Sequence, residues 1–192
     1  MENNIKDIKL TKLENANFIK TSLCLYNQNG VDKSWEIVKA HDSVAILIYH
    51  KDKKAFVLVK QFRVAVYLNN NDGITTELCA GIVDKDCSLE QIAQEEVLEE
   101  CGYGVEIENI EKVTSFHSSV GFAGSRQNLY YVKVDDSMKI SEGGGIEDEV
   151  IEVFYLPIKD AMKFVYQEDI SKTSGLMFAF MWWFDKKSNN KL

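Results

Sequence analysis

Two runs rich in β-branched residues, DSVAILIYH (42–50) and KAFVLVKQF (54–62), flank the charged turn KDKK. Continuous apolar runs of this length, bounded by a polar turn, predict a hairpin of buried strands. Upstream, residues 17–39 form two further strand-like stretches around Asn27–Gly30, where Asn and Gly tolerate positive φ. TTELCAG (75–81) reads as a short strand ending at a glycine, and further strands are predicted within 105–118, 128–134 and 149–157. Between them the period changes. Ser88 and Gln91 have the spacing of a capping box and Gly102 that of a left-handed C-cap, which bounds a helix at about 89–101. Two more helices are expected near 158–166 and 172–186. Strands on either side of a central helix, followed by terminal helices, predict a mixed sheet with helices on its faces, an α/β/α sandwich.

The central helix breaks the usual separation of apolar and charged positions. At 100° per residue, its apolar stripe of Leu89, Ile92, Ala93 and Val97 also contains Glu96 and Glu100. Glu99 lies to one side and Glu95 further out. Two carboxylates stacked one turn apart repel by about 4 kcal/mol at an effective dielectric near 20, and they gather where the helix dipole is already negative. The stretch QEEVLEECGY (94–103) therefore calls for a cation. Hard divalent ions favour such oxygen donors, so a metal site on Glu96 and Glu100 is expected, with the helix end less stable when metal is absent.

Composition narrows the partners. The 192-residue chain carries 22 basic and 30 acidic residues, a formal net charge of -8, which opposes binding to nucleic acid or anionic membranes unless cations intervene. The N-terminus has no basic-then-apolar signal pattern, and the longest apolar run, LMFAFMWWF (176–184), is too short to span a bilayer. These features predict a soluble cytoplasmic protein. Cys24, Cys79, Cys87 and Cys101 form no CxxC pair and read as small core or near-core residues.

With its leading glycine, the stretch GIVDKDCSLEQIAQEEVLEECGY (81–103) resembles the Nudix box, G-x5-E-x7-R-E-U-x-E-E-x-G-U, where U is bulky and apolar. Gly81, Glu96, Val97, Glu99, Glu100, Gly102 and Tyr103 fall in register, whereas Cys87 and Glu95 stand where the first acid and the arginine are expected. This pair supports the helix in the family; here it is lost together, which leaves Glu95 to solvent. The segments LVKQFRVAVY, TELCAGIVD, SSVGFAGSRQNLYYVKV and GGGIEDEVIEV extend the resemblance over roughly 40–185, towards the nucleotide-sugar diphosphatases, UDP-sugar enzymes first and ADP-ribose enzymes next.

The resemblance implies a Nudix domain over 40–192 and a β-arm over 1–39 that contributes to a homodimer. It implies Mg²⁺, or Mn²⁺ in its place, held by Glu96, Glu100 and the Ala80 carbonyl, with Glu99 as a flanking acid. Arg63 would touch the diphosphate, Arg126 a phosphate or the sugar, and Glu77 the sugar or a metal through water. Either Glu147 or Glu149, on the Gly-rich loop 141–150, would take a proton from attacking water. The expected reaction is hydrolysis of UDP-glucose to UMP and glucose 1-phosphate. ADP-ribose or another ADP-sugar is the nearest alternative substrate, and a non-hydrolysing nucleotide-sugar sensor is a further reading.

Overall fold

The computed structural model describes residues 5–146 and 148–187. Among the described residues, strands β1 (Lys20–Gln28) and β2 (Val31–Lys39) pair only with each other, across a turn in which Asn29 and Gly30 both have positive φ. That is the backbone a two-residue hairpin turn requires. The second sheet holds β3 (Ser43–His50), β4 (Ala55–Phe62), β5 (Ile74–Glu77), β6 (Cys79–Ile82), β7 (Glu111–His117), β8 (Arg126–Val134) and β9 (Ile151–Pro157). β3 and β8 run parallel and the other pairs are antiparallel, so the sheet is mixed.

The sheet forks. β3 and β4 pair only from Ile48↔Val57 to His50↔Ala55. Beyond that point they part, β6 taking the free edge of β3 at Ser43–Ile46 and β5 that of β4 at Val59–Phe62. Leu78 is the single residue between β5 and β6, so the chain crosses from one branch to the other there. Sequence patterning runs these two strands together because neither proline nor glycine marks the crossing.

Alternation along β3 divides the core in two. Val44, Ile46 and Ile48 pack with Ile92, Ala93 and Val97 of α2 (Leu89–Cys101), while Ala45 and Leu47 pack with α3 (Ile158–Val165) and α4 (Ser174–Lys186) through Ala161, Phe164, Leu176 and Phe180. The sheet is covered on both faces, which completes the expected α/β/α sandwich. Ser88 caps α2 as predicted: its Oγ accepts from the Gln91 N–H (3.2 Å) and its N–H donates to Gln91 Oε1 (2.9 Å). Three expectations change. A short helix α1 (Val64–Asn70) follows β4, the 105–118 region is a strand only over β7, and Cys24 and Cys87 are exposed, only Cys79 and Cys101 being buried.

Candidate active site

α2 brings its acids to the fork by packing its C-terminal half against β6. Glu100 is buried, and its Oε2 accepts the Ala80 N–H at 3.0 Å. Since N–H and C=O of one residue in an antiparallel strand point to the same side, the Ala80 carbonyl faces the helix as well. Glu96 lies against Gly81 so closely that a Cβ added there would sit 1.9 Å from Glu96 Oε1. Any larger residue there would push the Glu96 side chain from its place.

Both helix acids are held neutral more strongly than ordinary carboxyls. Burial, then the charges of Glu99 and Glu149, pushes Glu96 up to about 7. Burial also pushes Glu100 up to about 8, with the Glu96 charge adding to it and the Ala80 hydrogen bond opposing it. A buried acid and a half-buried one a turn apart, with the Ala80 carbonyl on the same side, offer the oxygen donors that a hard divalent cation takes. Glu96 and Glu99 open into a cleft of ≈ 540 Å³ also lined by Phe18, Ile82, Asp84, Lys85, Ile146, Asp148 and Glu149.

Arg63, just after β4, and Glu77, on β5, tie together one branch of the fork. Arg63 Nε and Nη2 donate to the two oxygens of Glu77, each at 2.8 Å, and Thr75 Oγ1 donates to the same carboxylate at 2.5 Å. Burial acts to raise the Glu77 carboxyl, but the Arg63 bond and charge outweigh it and leave it below the usual range. Glu77 is thus an anchored anion on a buried strand, and any phosphate contact by Arg63 is confined to the other edge of its guanidinium. The charges of Glu100 and Glu149 also act on Arg63 and help hold its guanidinium charged. On its other side Arg63 lines a groove with Thr75, Glu77, Lys172 and Met177.

The Gly-rich loop closes over the C-terminus of α2. Gly144 and Gly145 donate their N–H groups to the carbonyls of Glu100 (2.9 Å) and Glu99 (3.1 Å). Lys139 Nζ donates to the Cys101 carbonyl at 2.9 Å, so the cation demanded by the negative helix end comes partly from the protein itself. The glycines of this loop supply left-handed backbone, with φ of 73°, 109° and 87° at Gly143, Gly144 and Gly145. This docking carries exposed Glu149 to the cleft, where its Oε2 accepts the Ile146 N–H. Glu147 lies outside the described residues.

Of the residues predicted from sequence, Glu96, Glu99 and Glu149 share the cleft, Glu100 lies buried one turn from Glu96 and is bonded to Ala80, and Arg63 and Glu77 pair with each other and line a separate groove. Arg126 does not join them: it stands exposed at the start of β8, opposite His117, its N–H bonded to Asp42. Glu95 is not left to solvent alone, because Lys85 Nζ donates to its Oε2 at 2.5 Å. Lys85 and Lys139 were missed because their partners are not at helical or strand spacing, and Thr75 was missed although Glu77 lies two residues on along the same strand. Another donor set, His50, Asp52 and Asp136, lies at the far end of β3, but Lys53 already donates to Asp136 and balances it.

Fold and site together set a cluster of carboxylate oxygens at the fork of an α/β/α sandwich. The chain belongs to the Nudix family, whose model, described as NUDIX domain, matches residues 39–174. It is 40% identical over 188 residues to the uridine diphosphate glucose pyrophosphatase NUDT14 of Bos taurus, covering 83% of this chain and 85% of that protein. The Mus musculus protein of the same name is 39% identical over 190 residues, with 84% and 86% covered. A GDP-mannose pyrophosphatase of Cronobacter sakazakii is 39% identical over 133 residues, with 69% and 68% covered.

Proposed function

We propose that this protein is a divalent-metal-dependent hydrolase of a nucleotide sugar, with UDP-glucose as substrate and UMP and glucose 1-phosphate as products. The observation that carries this reading is the placing of Glu96 and Glu100, one turn apart, against the Ala80–Gly81 backbone, where burial raises both carboxyls. UDP-glucose is favoured because the relatives that cover most of the chain bear that substrate in their name. GDP-mannose is the second reading, on relatives that cover less of it.

Glu96, Glu100 and the Ala80 carbonyl would hold Mg²⁺, or Mn²⁺ in its place, with Glu99 orienting them from the rim. When bound, the cation neutralises the diphosphate and acidifies the attacking water. Arg63, fixed by Glu77, turns its remaining edge to the diphosphate and stabilises charge developing there. Glu149 is the rim acid placed to accept the proton lost by water, with Glu147 on the same loop as the alternative. Arg126 would reach a phosphate or the sugar only if the loop before β8 closes. β1 and β2 would form the arm of a homodimer preceding a domain that begins near residue 40. The net charge of -8 leaves nucleic acid and anionic membranes as unsuitable partners, and among the described residues no helix is long and apolar enough to cross a membrane.

The deciding experiment is UMP release from UDP-glucose with Mg²⁺, run beside GDP-mannose and ADP-ribose and compared by kcat/KM. Glu100→Gln preserves an acceptor for the Ala80 N–H and removes the charge, so turnover is expected to fall on the order of 10²-fold or more. Turnover by that variant equal to the parent would sink the assignment. Tight UDP-glucose binding without any product would instead mark a sensor.

A further inference from the structure

Among the described residues lining the acidic cleft, Lys85 is the only basic side chain. A diphosphate entering this cleft meets Asp84, Glu96, Glu99, Asp148 and Glu149, and needs more than one positive charge beside it. Lys85 now bonds Glu95, on the outer side of the helix, and also feels the charges of Glu99 and Glu96. Both members of that ion pair are close to half exposed, 47% and 44%, a setting in which such pairs contribute little and exchange partners readily. The backbone that carries it is fixed at both ends: Val83 N–H donates to the Asp42 carbonyl at 2.8 Å, and Ser88 starts α2 with its capping box. The ammonium can therefore move by side-chain rotation alone, on a flexible stem with three donors.

Resting on the nucleotide-sugar reading above, we propose that Lys85 is a substrate-binding residue that exchanges Glu95 for the diphosphate when substrate enters. Glu95 then serves as the parking partner of the ammonium in the empty cleft. A purely structural tether between loop and helix predicts something different, because it would need both members equally.

The test measures KM and kcat for Lys85→Ala, Lys85→Arg and Glu95→Gln, together with calorimetric titration of UDP plus Mg²⁺ into each protein. Lys85→Ala is expected to raise KM and the UDP dissociation constant about 10-fold, the loss of one charge-assisted hydrogen bond. Lys85→Arg recovers most of that loss, and Glu95→Gln, which releases the ammonium, leaves both constants no higher than in the parent. A parallel rise in Glu95→Gln would overturn the exchange in favour of a tether, and unchanged constants in Lys85→Ala, or a parent that binds no UDP, would overturn it outright. Absence of hydrolysis by the parent would strike the proposed reaction, while the UDP titration would still judge Lys85.

Discussion

Glu96 and Glu100 tie chemistry to pH at single positions. Their folded-state values of about 7 and about 8 lie above the ordinary 4.5, so without metal each favours the folded state most when protonated. That contribution is complete below the ordinary value and is lost as pH rises through the folded values. Metal-free protein is thus expected to lose thermal stability between pH 5 and pH 8.5, and saturating Mg²⁺ should flatten the loss. Metal binding must also expel the protons: near pH 6 about two are released per site, near pH 9 close to none. Calorimetry in buffers of different ionisation enthalpy reads this number directly, and proton release independent of pH would refute the account. Glu77 behaves in the opposite sense, because Arg63 keeps it ionised. Arg63→Lys cannot reproduce the fork across both carboxylate oxygens and should weaken the site beyond the loss of a phosphate contact. At this scale the inward acids were legible, since helical period alone places Glu96 and Glu100 on the core face. The Lys85–Glu95 pair was not, because it joins a loop to a helix ten residues on with no repeating period.

For the elements, boundaries were legible where the side chains that end an element are local. Ser88, Gln91 and Gly102 bound α2 within the sequence itself, and the structure uses all three. α1 lacks such a mark at its start: Arg63 makes no side-chain cap, and its β-branched valines favour strand over helix. The end of α2 also depends on a segment forty residues away. Lys139, Gly144 and Gly145 satisfy the carbonyls of Cys101, Glu100 and Glu99, which leaves the charged helix end covered even before metal arrives. An added Cβ at Gly143 would stand 2.3 Å from the Glu100 carbonyl oxygen, at a φ of 73°. Gly143→Ala is therefore expected to cost about 1–3 kcal/mol and to speed hydrogen exchange at the last turn of α2. Exchange there unchanged in the variant would show that the loop does not brace the helix. In the parent, Mg²⁺ should slow the same amides less than it would for an uncapped end.

At the level of the whole molecule, the two sheets have opposite solvent relations. The forked sheet is covered on both faces, whereas β1 and β2 are exposed along almost their full length. The hairpin meets the main body through Trp35 Nε1 donating to the Gly121 carbonyl (2.6 Å) and Val38 N–H donating to the Phe122 carbonyl (2.8 Å). Cross-strand partners Leu23↔Glu36 and Leu25↔Ser34 share one face, on which Leu23 is 61% and Leu25 75% exposed. An isolated two-stranded ribbon is marginal in water, and apolar side chains left bare on one invite a covering surface. A second copy of the chain supplies that surface in the proposed homodimer. Leu25→Glu would place a charge in the covered face without touching the cleft acids. Sedimentation should then move from twice the 21.9 kDa chain mass to a single chain at micromolar concentration, and a parent that sediments as one chain would remove the homodimer. Because Phe18, just before β1, already lines the acidic cleft, the Leu25→Glu monomer should also show a raised KM if the partner holds this segment in place.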